Sequence, residues 1–141
     1  MTKVSMTTNL NVSADQVWKV IGGFNALPDW HPAVEKSELT EAGQTRTLSI
    51  AGGGKVVEKL ETVDDDARTY SYSIVDSPLP VANYTATIKV SGSGDNSTIE
   101  WSSEFEPMGA PAEDAMKAIQ NIYQTGFDNL QKMFGGMGSG R

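Results

Sequence analysis

The sequence predicts an α+β fold in which a seven-stranded, curved antiparallel sheet wraps a long C-terminal helix, with two short helices between the first and second strands. Three observations predict it. From Val34 to Phe105 the chain reads as strand after strand, separated by short turn signals. A single amphipathic helix pattern follows, over about 112–134. The 141 residues, 38 % of them hydrophobic, suit one domain, and the apolar concave face of a curved sheet needs one element to cover it.

The elements follow in order. Residues 1–10 alternate, with Val4, Met6 and Leu10 on one side and Lys3, Ser5, Thr7 and Asn9 on the other, a half-buried strand. Ser13 and Gln16 form a capping-box pattern that opens a helix. Val17, Val20, Ile21 and Phe24 keep its period until Gly22-Gly23 weakens it. A second helical turn is expected over Asn25 to Trp30, interrupted by Pro28 and closed by Pro32. Six strands are then expected at about 34–40, 45–50, 55–63, 69–76, 83–91 and 97–106. Their links, among them Gly52-Gly53-Gly54, Ser77-Pro78-Leu79-Pro80 and Gly92-Ser93-Gly94-Asp95, are short enough for an antiparallel meander. Tyr84, Ala86, Ile88 and Val90 share one face of their strand, and Ile99, Trp101, Ser103 and Phe105 share one face of theirs. In the last helix Met116, Ile119, Tyr123, Phe127, Leu130 and Phe134 are spaced by three and four, with Gly126 on the same side. Lys117, Asp128 and Lys132 take the opposite face, and Gly135-Gly136 stops the helix. Residues 1–136 are expected to form one domain and 137–141 a frayed tail.

Composition narrows the function classes. With no cysteine there is no disulfide framework, thiolate metal site or cysteine nucleophile, and one histidine cannot build a histidine metal cluster. No metal and no cofactor is expected. Eleven basic residues against 18 acidic ones, a net charge of -7, make nucleic acid a poor partner. No run approaches the ~18 consecutive apolar residues of a membrane span, and Met1 to Met6 lacks the apolar core of a signal peptide. A cytoplasmic location is the expectation.

Four stretches of sequence carry a resemblance. They are Val17-Trp18-Lys19-Val20-Ile21-Gly22, Leu27-Pro28-Asp29-Trp30-His31-Pro32-Ala33-Val34, Glu58-Lys59-Leu60-Glu61-Thr62-Val63-Asp64-Asp65, and the segment from Tyr72 through Ser77-Pro78-Leu79-Pro80 to Tyr84. With the element order, they resemble the START-like or SRPBCC superfamily, the helix-grip fold, and within it small bacterial polyketide cyclase/dehydrase proteins. The resemblance covers about residues 2–134. It implies a ligand-binding domain with a large apolar cavity between sheet and long helix, reached past the loops at one end. The superfamily holds lipid and hormone carriers, plant hormone receptors and aromatase/cyclases, so the fold does not choose an activity.

Candidate site residues follow from the strand faces. Glu58 shares a face with Leu60 and Thr62; Arg46, Leu48 and Ile50 alternate on the preceding strand. A five-residue loop would set Leu48 opposite Glu58, with Arg46 one step diagonal. Inside an apolar cavity the carboxylate and guanidinium would pair with each other or with a polar ligand group. Tyr84 opens its apolar face beside the loop that holds Leu79, where a phenol can hydrogen-bond a ligand oxygen or donate a proton. The resemblance implies the same placement: in plant abscisic-acid receptors the tyrosine and glutamate matching Tyr84 and Glu58 line the hormone pocket. The receptor lysine that anchors the hormone carboxylate falls at about Pro32, which argues against that hormone here. His31, flanked by Trp30, suits acid–base work by its ordinary pKa and equally suits a packing or loop-capping role. Gly52-Gly53-Gly54 precedes a strand and is therefore no phosphate loop. Tyr72, Trp101, Tyr123 and Phe127 are core aromatics by spacing, and in this fold the core and the pocket wall are one surface.

The expected function is binding of a small hydrophobic or aromatic molecule, with polyketide cyclase/dehydrase-type chemistry as its enzymatic version. In that version Glu58, Tyr84 and His31 are the catalytic candidates, and Trp30, Arg46, Leu48, Leu60, Tyr72, Leu79, Trp101, Tyr123 and Phe127 the ligand contacts. The alternative is a non-catalytic lipid or small-molecule carrier or sensor, with a protein partner at the loop end. A cavity of about 300 Å3 or more is expected in either case.

Overall fold

A computed structural model describes residues 2–92 and 94–134. Strand β1 (Thr2–Leu10) leads into helices α1 (Ala14–Ile21) and α2 (Leu27–Trp30). Strands β2 (Val34–Thr40), β3 (Thr45–Ile50), β4 (Lys55–Asp64), β5 (Thr69–Asp76), β6 (Val81–Ser91) and β7 (Ser97–Pro107) follow. Helix α3 (Ala112–Phe134) is the last described element. The expected helix stop at Gly135-Gly136, the tail 137–141 and Ser93 of the β6–β7 turn lie outside the described residues.

The strands form one antiparallel sheet in the order β1-β7-β6-β5-β4-β3-β2. Short links make β2 to β7 a meander, while α1 and α2 carry the chain from one sheet edge to the other. This is the helix-grip fold. The alternation read from the sequence decides the faces: Tyr84, Ala86, Ile88 and Val90 of β6 are buried with Ile99, Trp101, Ser103 and Phe105 of β7. Against them α3 buries Ile119, Tyr123, Gly126, Phe127 and Leu130, and leaves Lys117, Asp128 and Lys132 in solvent. At the start of α1, Ser13 Oγ accepts the Gln16 backbone N–H at 3.3 Å, as the capping pattern requires.

Four local features differ from expectation. Pro28 does not interrupt α2; it sits in the first turn, where a missing N–H is harmless. The β3–β4 turn is tighter than five residues, because Gly52, Gly53 and Gly54 take positive φ and the Ile50 N–H already meets the Gly54 carbonyl at 3.1 Å. Arg46 therefore lies directly opposite Glu58, and Leu48 opposite Val56 rather than Glu58. An irregularity in β4 between Leu60 and Thr62 turns Thr62 outward, where its hydroxyl meets that of Ser71 at 2.5 Å. A second, in β6, places Asn83 at φ 54 and lets Val81 and Tyr84, three residues apart, both face inward.

Candidate functional site

Between the loop end of the sheet and α3 lies a cavity of about 210 Å3. The β3–β4 hairpin contributes Leu48, Ile50, Val56 and Glu58 to its wall. Tyr72 and Ile74 come from β5, Leu79 from the β5–β6 loop, Tyr84 from β6 and Trp101 from β7. Leu27 and His31 close one side, and Ile119 and Ile122 of α3 form the roof. The wall is mostly apolar. Among the described residues Glu58 is the only carboxylate in it.

The cross-strand pairing of β3 and β4 holds Glu58 against Arg46. Arg46 Nε and Nη2 both donate to Glu58 Oε1, at 2.8 and 2.6 Å, and Nη1 donates to the Phe24 carbonyl. The guanidinium is 1 % exposed, with Phe24 centred 4.1 Å and Tyr72 5.1 Å from it. Burial raises the Glu58 pKa above the ordinary carboxylate value, against the opposing pull of the Arg46 charge and hydrogen bonds. Burial alone would lower that of Arg46, but the Glu58 carboxylate bonded to it at 2.6 Å opposes this, so the guanidinium stays charged. Because both arginine bonds fall on Oε1, Glu58 Oε2 takes none of them.

A second polar group borders the cavity beside this pair. Trp101 Nε1 donates to Tyr72 Oη at 3.1 Å; the Tyr72 and Tyr84 hydroxyls lie 3.5 Å apart; and Tyr84 meets Tyr123 at 2.5 Å. Burial pushes the Tyr72 and Tyr84 pKa values well above 10.0, so both are neutral phenols.

His31 is held at both ring nitrogens. Nε2 lies 2.7 Å from the Ile122 carbonyl, and Nδ1 accepts the Ala33 N–H at 3.2 Å. A carbonyl demands a donor and an N–H demands an acceptor, which assigns the neutral Nε2–H tautomer. Burial lowers its pKa below 6.5. The ring edges the cavity without a free lone pair, so its role is to tie the α2–β2 loop to α3.

Five expected contacts do not line the cavity. Arg46 stands behind Glu58; Leu60 lies in a separate groove with Trp18, Val63 and Tyr70. Tyr123 is stacked on Trp101, with centroids 4.1 Å apart and 17° between planes, and Trp30 and Phe127 pack against the same indole at 5.5 and 6.2 Å. This aromatic stack fills the far end of the interior, which is why the space is smaller than the 300 Å3 expected. Gly126 permits it: a Cβ there would stand 2.9 Å from both the Trp30 and His31 rings. The sequence reading did not assign Ile74, Ile119 or Ile122 to the wall. For Ile74 a signal existed, because it continues the Tyr70, Tyr72 alternation. A wider trough of about 670 Å3 on the outer face, lined by Lys3, Ser71, Thr85, Thr87 and Glu104 among others, is open to solvent.

Known proteins bear the same architecture. The chain is similar to the protein XoxI of Bacillus cereus, with 40 % identity over 95 % of this chain and 96 % of that one and a TM-score of 0.92. A START superfamily protein from Mycobacterium smegmatis, 13 % identical over 94 % of this chain and 97 % of that one, has the same fold with a TM-score of 0.78. So does the Zhui aromatase/cyclase of a Streptomyces species, at 17 % identity, coverage of 92 % and 88 %, and a TM-score of 0.72. No curated protein matches the sequence. The family model for polyketide cyclase / dehydrase and lipid transport matches residues 1–135. With this match over nearly the whole chain, the chain belongs to the polyketide cyclase/dehydrase and lipid transport family.

Proposed function

We propose that the protein binds a small hydrophobic or aromatic molecule in the cavity between the sheet and α3. One observation carries the reading: a largely apolar wall converges on a few oriented polar groups, Glu58, Tyr72 and Tyr84. The cavity of about 210 Å3 exceeds the ~150 Å3 of a dry apolar cavity that takes benzene, so a frame of one or two fused rings suits it. The family match and the aromatase/cyclase neighbour support the same class of ligand. Native mass spectrometry of the protein purified from cells tests the proposal. A co-purifying apolar compound is expected; its absence, together with no protein NMR shifts at Ile74 and Ile119 on adding naphthalene, overturns it.

A second reading adds catalysis, because a carboxylate and a phenol border the same cavity. Glu58 would take a proton next to a substrate carbonyl, and Tyr84, kept neutral by burial, would donate to the developing enolate oxygen. Its bond to Arg46 makes Glu58 a weaker base, an effect that burial opposes. Glu58→Gln keeps the shape and is expected to abolish turnover while leaving affinity within about tenfold, ~1.4 kcal/mol. A carrier or sensor would instead show no turnover in the wild type. A cytoplasmic location and a protein partner at the loop end belong to the same proposal. The net charge of -7 supports leaving nucleic acid out of it.

A further inference from the structure

We infer that the cavity selects neutral ligands that carry a hydrogen-bond donor, a phenol or alcohol on an apolar ring frame, and rejects carboxylates. The inference rests on the ligand-binding reading above and names the ligand class of that same site.

The wall holds an acceptor and no cation to offer. Glu58 borders the cavity, and its Oε1 takes both Arg46 bonds, so Oε2 is the oxygen left for a ligand. Each Arg46 nitrogen already has a partner, in Glu58 or in the Phe24 carbonyl, and the guanidinium lies outside the wall. Among the described residues no lysine or arginine lines the cavity. His31 is pinned by backbone at both nitrogens. The remaining donors are neutral: Trp101 donates to Tyr72, Tyr84 and Tyr123 share a bond, and the Tyr72 hydroxyl has Tyr84 3.5 Å away. A ligand carboxylate would lose its hydration beside the Glu58 charge and gain no counter-charge. A ligand hydroxyl would instead satisfy Oε2 with a charge-assisted bond.

Three probes on one frame test this by NMR titration or calorimetry at neutral pH: 2-naphthol, naphthalene and 2-naphthoate. Naphthol is expected to bind about tenfold or more tighter than naphthalene, and naphthoate the weakest of the three. Glu58→Gln must keep its one amide oxygen on Arg46 and so turns its NH2, a donor, toward the cavity; the advantage of naphthol over naphthalene should shrink, and so should the penalty on naphthoate. Replacing the whole pair, Arg46→Met with Glu58→Leu, is the second variant, since a buried ion pair exchanged for apolar residues is commonly tolerated. There naphthalene affinity should persist and the advantage of naphthol disappear. Naphthoate binding as tightly as naphthol in the wild type, or naphthol no tighter than naphthalene, overturns the inference and leaves ligand binding standing. No binding by any of the three overturns both. Should either variant fail to fold, the wild-type order alone decides.

Discussion

His31 shows how backbone partners reassign a residue that the sequence offers for catalysis. Its Nδ1 accepts from Ala33 and its Nε2 serves Ile122, so a proton added at Nδ1 would face an N–H. Burial of the ring holds the folded-state pKa below the ordinary 6.5. A histidine depressed in this way contributes stability that is complete above 6.5 and is lost as pH falls through the folded value. Thermal melts should therefore fall in temperature as the pH drops below 6.5, and His31→Asn, less stable throughout, should give the flatter profile. Comparing the two separates His31 from Glu58, whose raised carboxyl titrates in the opposite sense. Gly126 is the matching case on α3. Alanine favours a helix by about 1 kcal/mol over glycine, yet here its methyl would enter contacts of 2.9 Å with Trp30 and His31. Gly126→Ala is expected to destabilise by about 1–3 kcal/mol in denaturant unfolding, because these rings have no room to give.

At the scale of elements, periodicity was a sufficient guide wherever one face met the core without interruption. β7 and α3 follow it from end to end, and β6 follows it from Tyr84 onward. It was insufficient at the backbone irregularities. Tyr84 reaches the cavity because Asn83 bends β6 at φ 54, a conformation asparagine and glycine tolerate and β-branched residues do not. Asn83→Gly should leave stability and probe binding nearly unchanged. Asn83→Val should cost about 1–3 kcal/mol and weaken naphthalene binding, as read by the same titration. Equal behaviour of the two variants would mean that the bend does not position Tyr84. In β4 the extra residue near Glu61 moves Thr62 to solvent, and no hydrophobic pattern announces it, since Thr, Glu and Lys tolerate either face.

At the scale of the molecule, a ligand in the cavity joins the hairpin, β5 and α3, so its binding energy becomes folding energy. Naphthol at a hundred times its Kd should stabilise the fold by about 2.7 kcal/mol and raise the melting temperature by several degrees. No rise at saturation would mean that the probe binds the unfolded chain as well as the folded one. The amino-acid sequence by itself determined the α+β class, the run of strands, the inward faces of β6 and β7 and the burial stripe of α3. Each of these depends on local alternation or on a spacing of three and four. A resemblance to the helix-grip superfamily was carried separately, by short runs such as Leu27-Pro28-Asp29-Trp30-His31-Pro32. Only the tertiary structure decided that β1 pairs with β7, since a contact between the two ends of the strand order leaves no local trace. It also decided that Arg46 is consumed by Glu58 and Phe24, and that Tyr123 stacks on Trp101 and Phe127 packs against it rather than lining the cavity. A residue's face can be read from its period. Which neighbour meets it there depends on turn length, bulges and the volume of side chains arriving from distant elements.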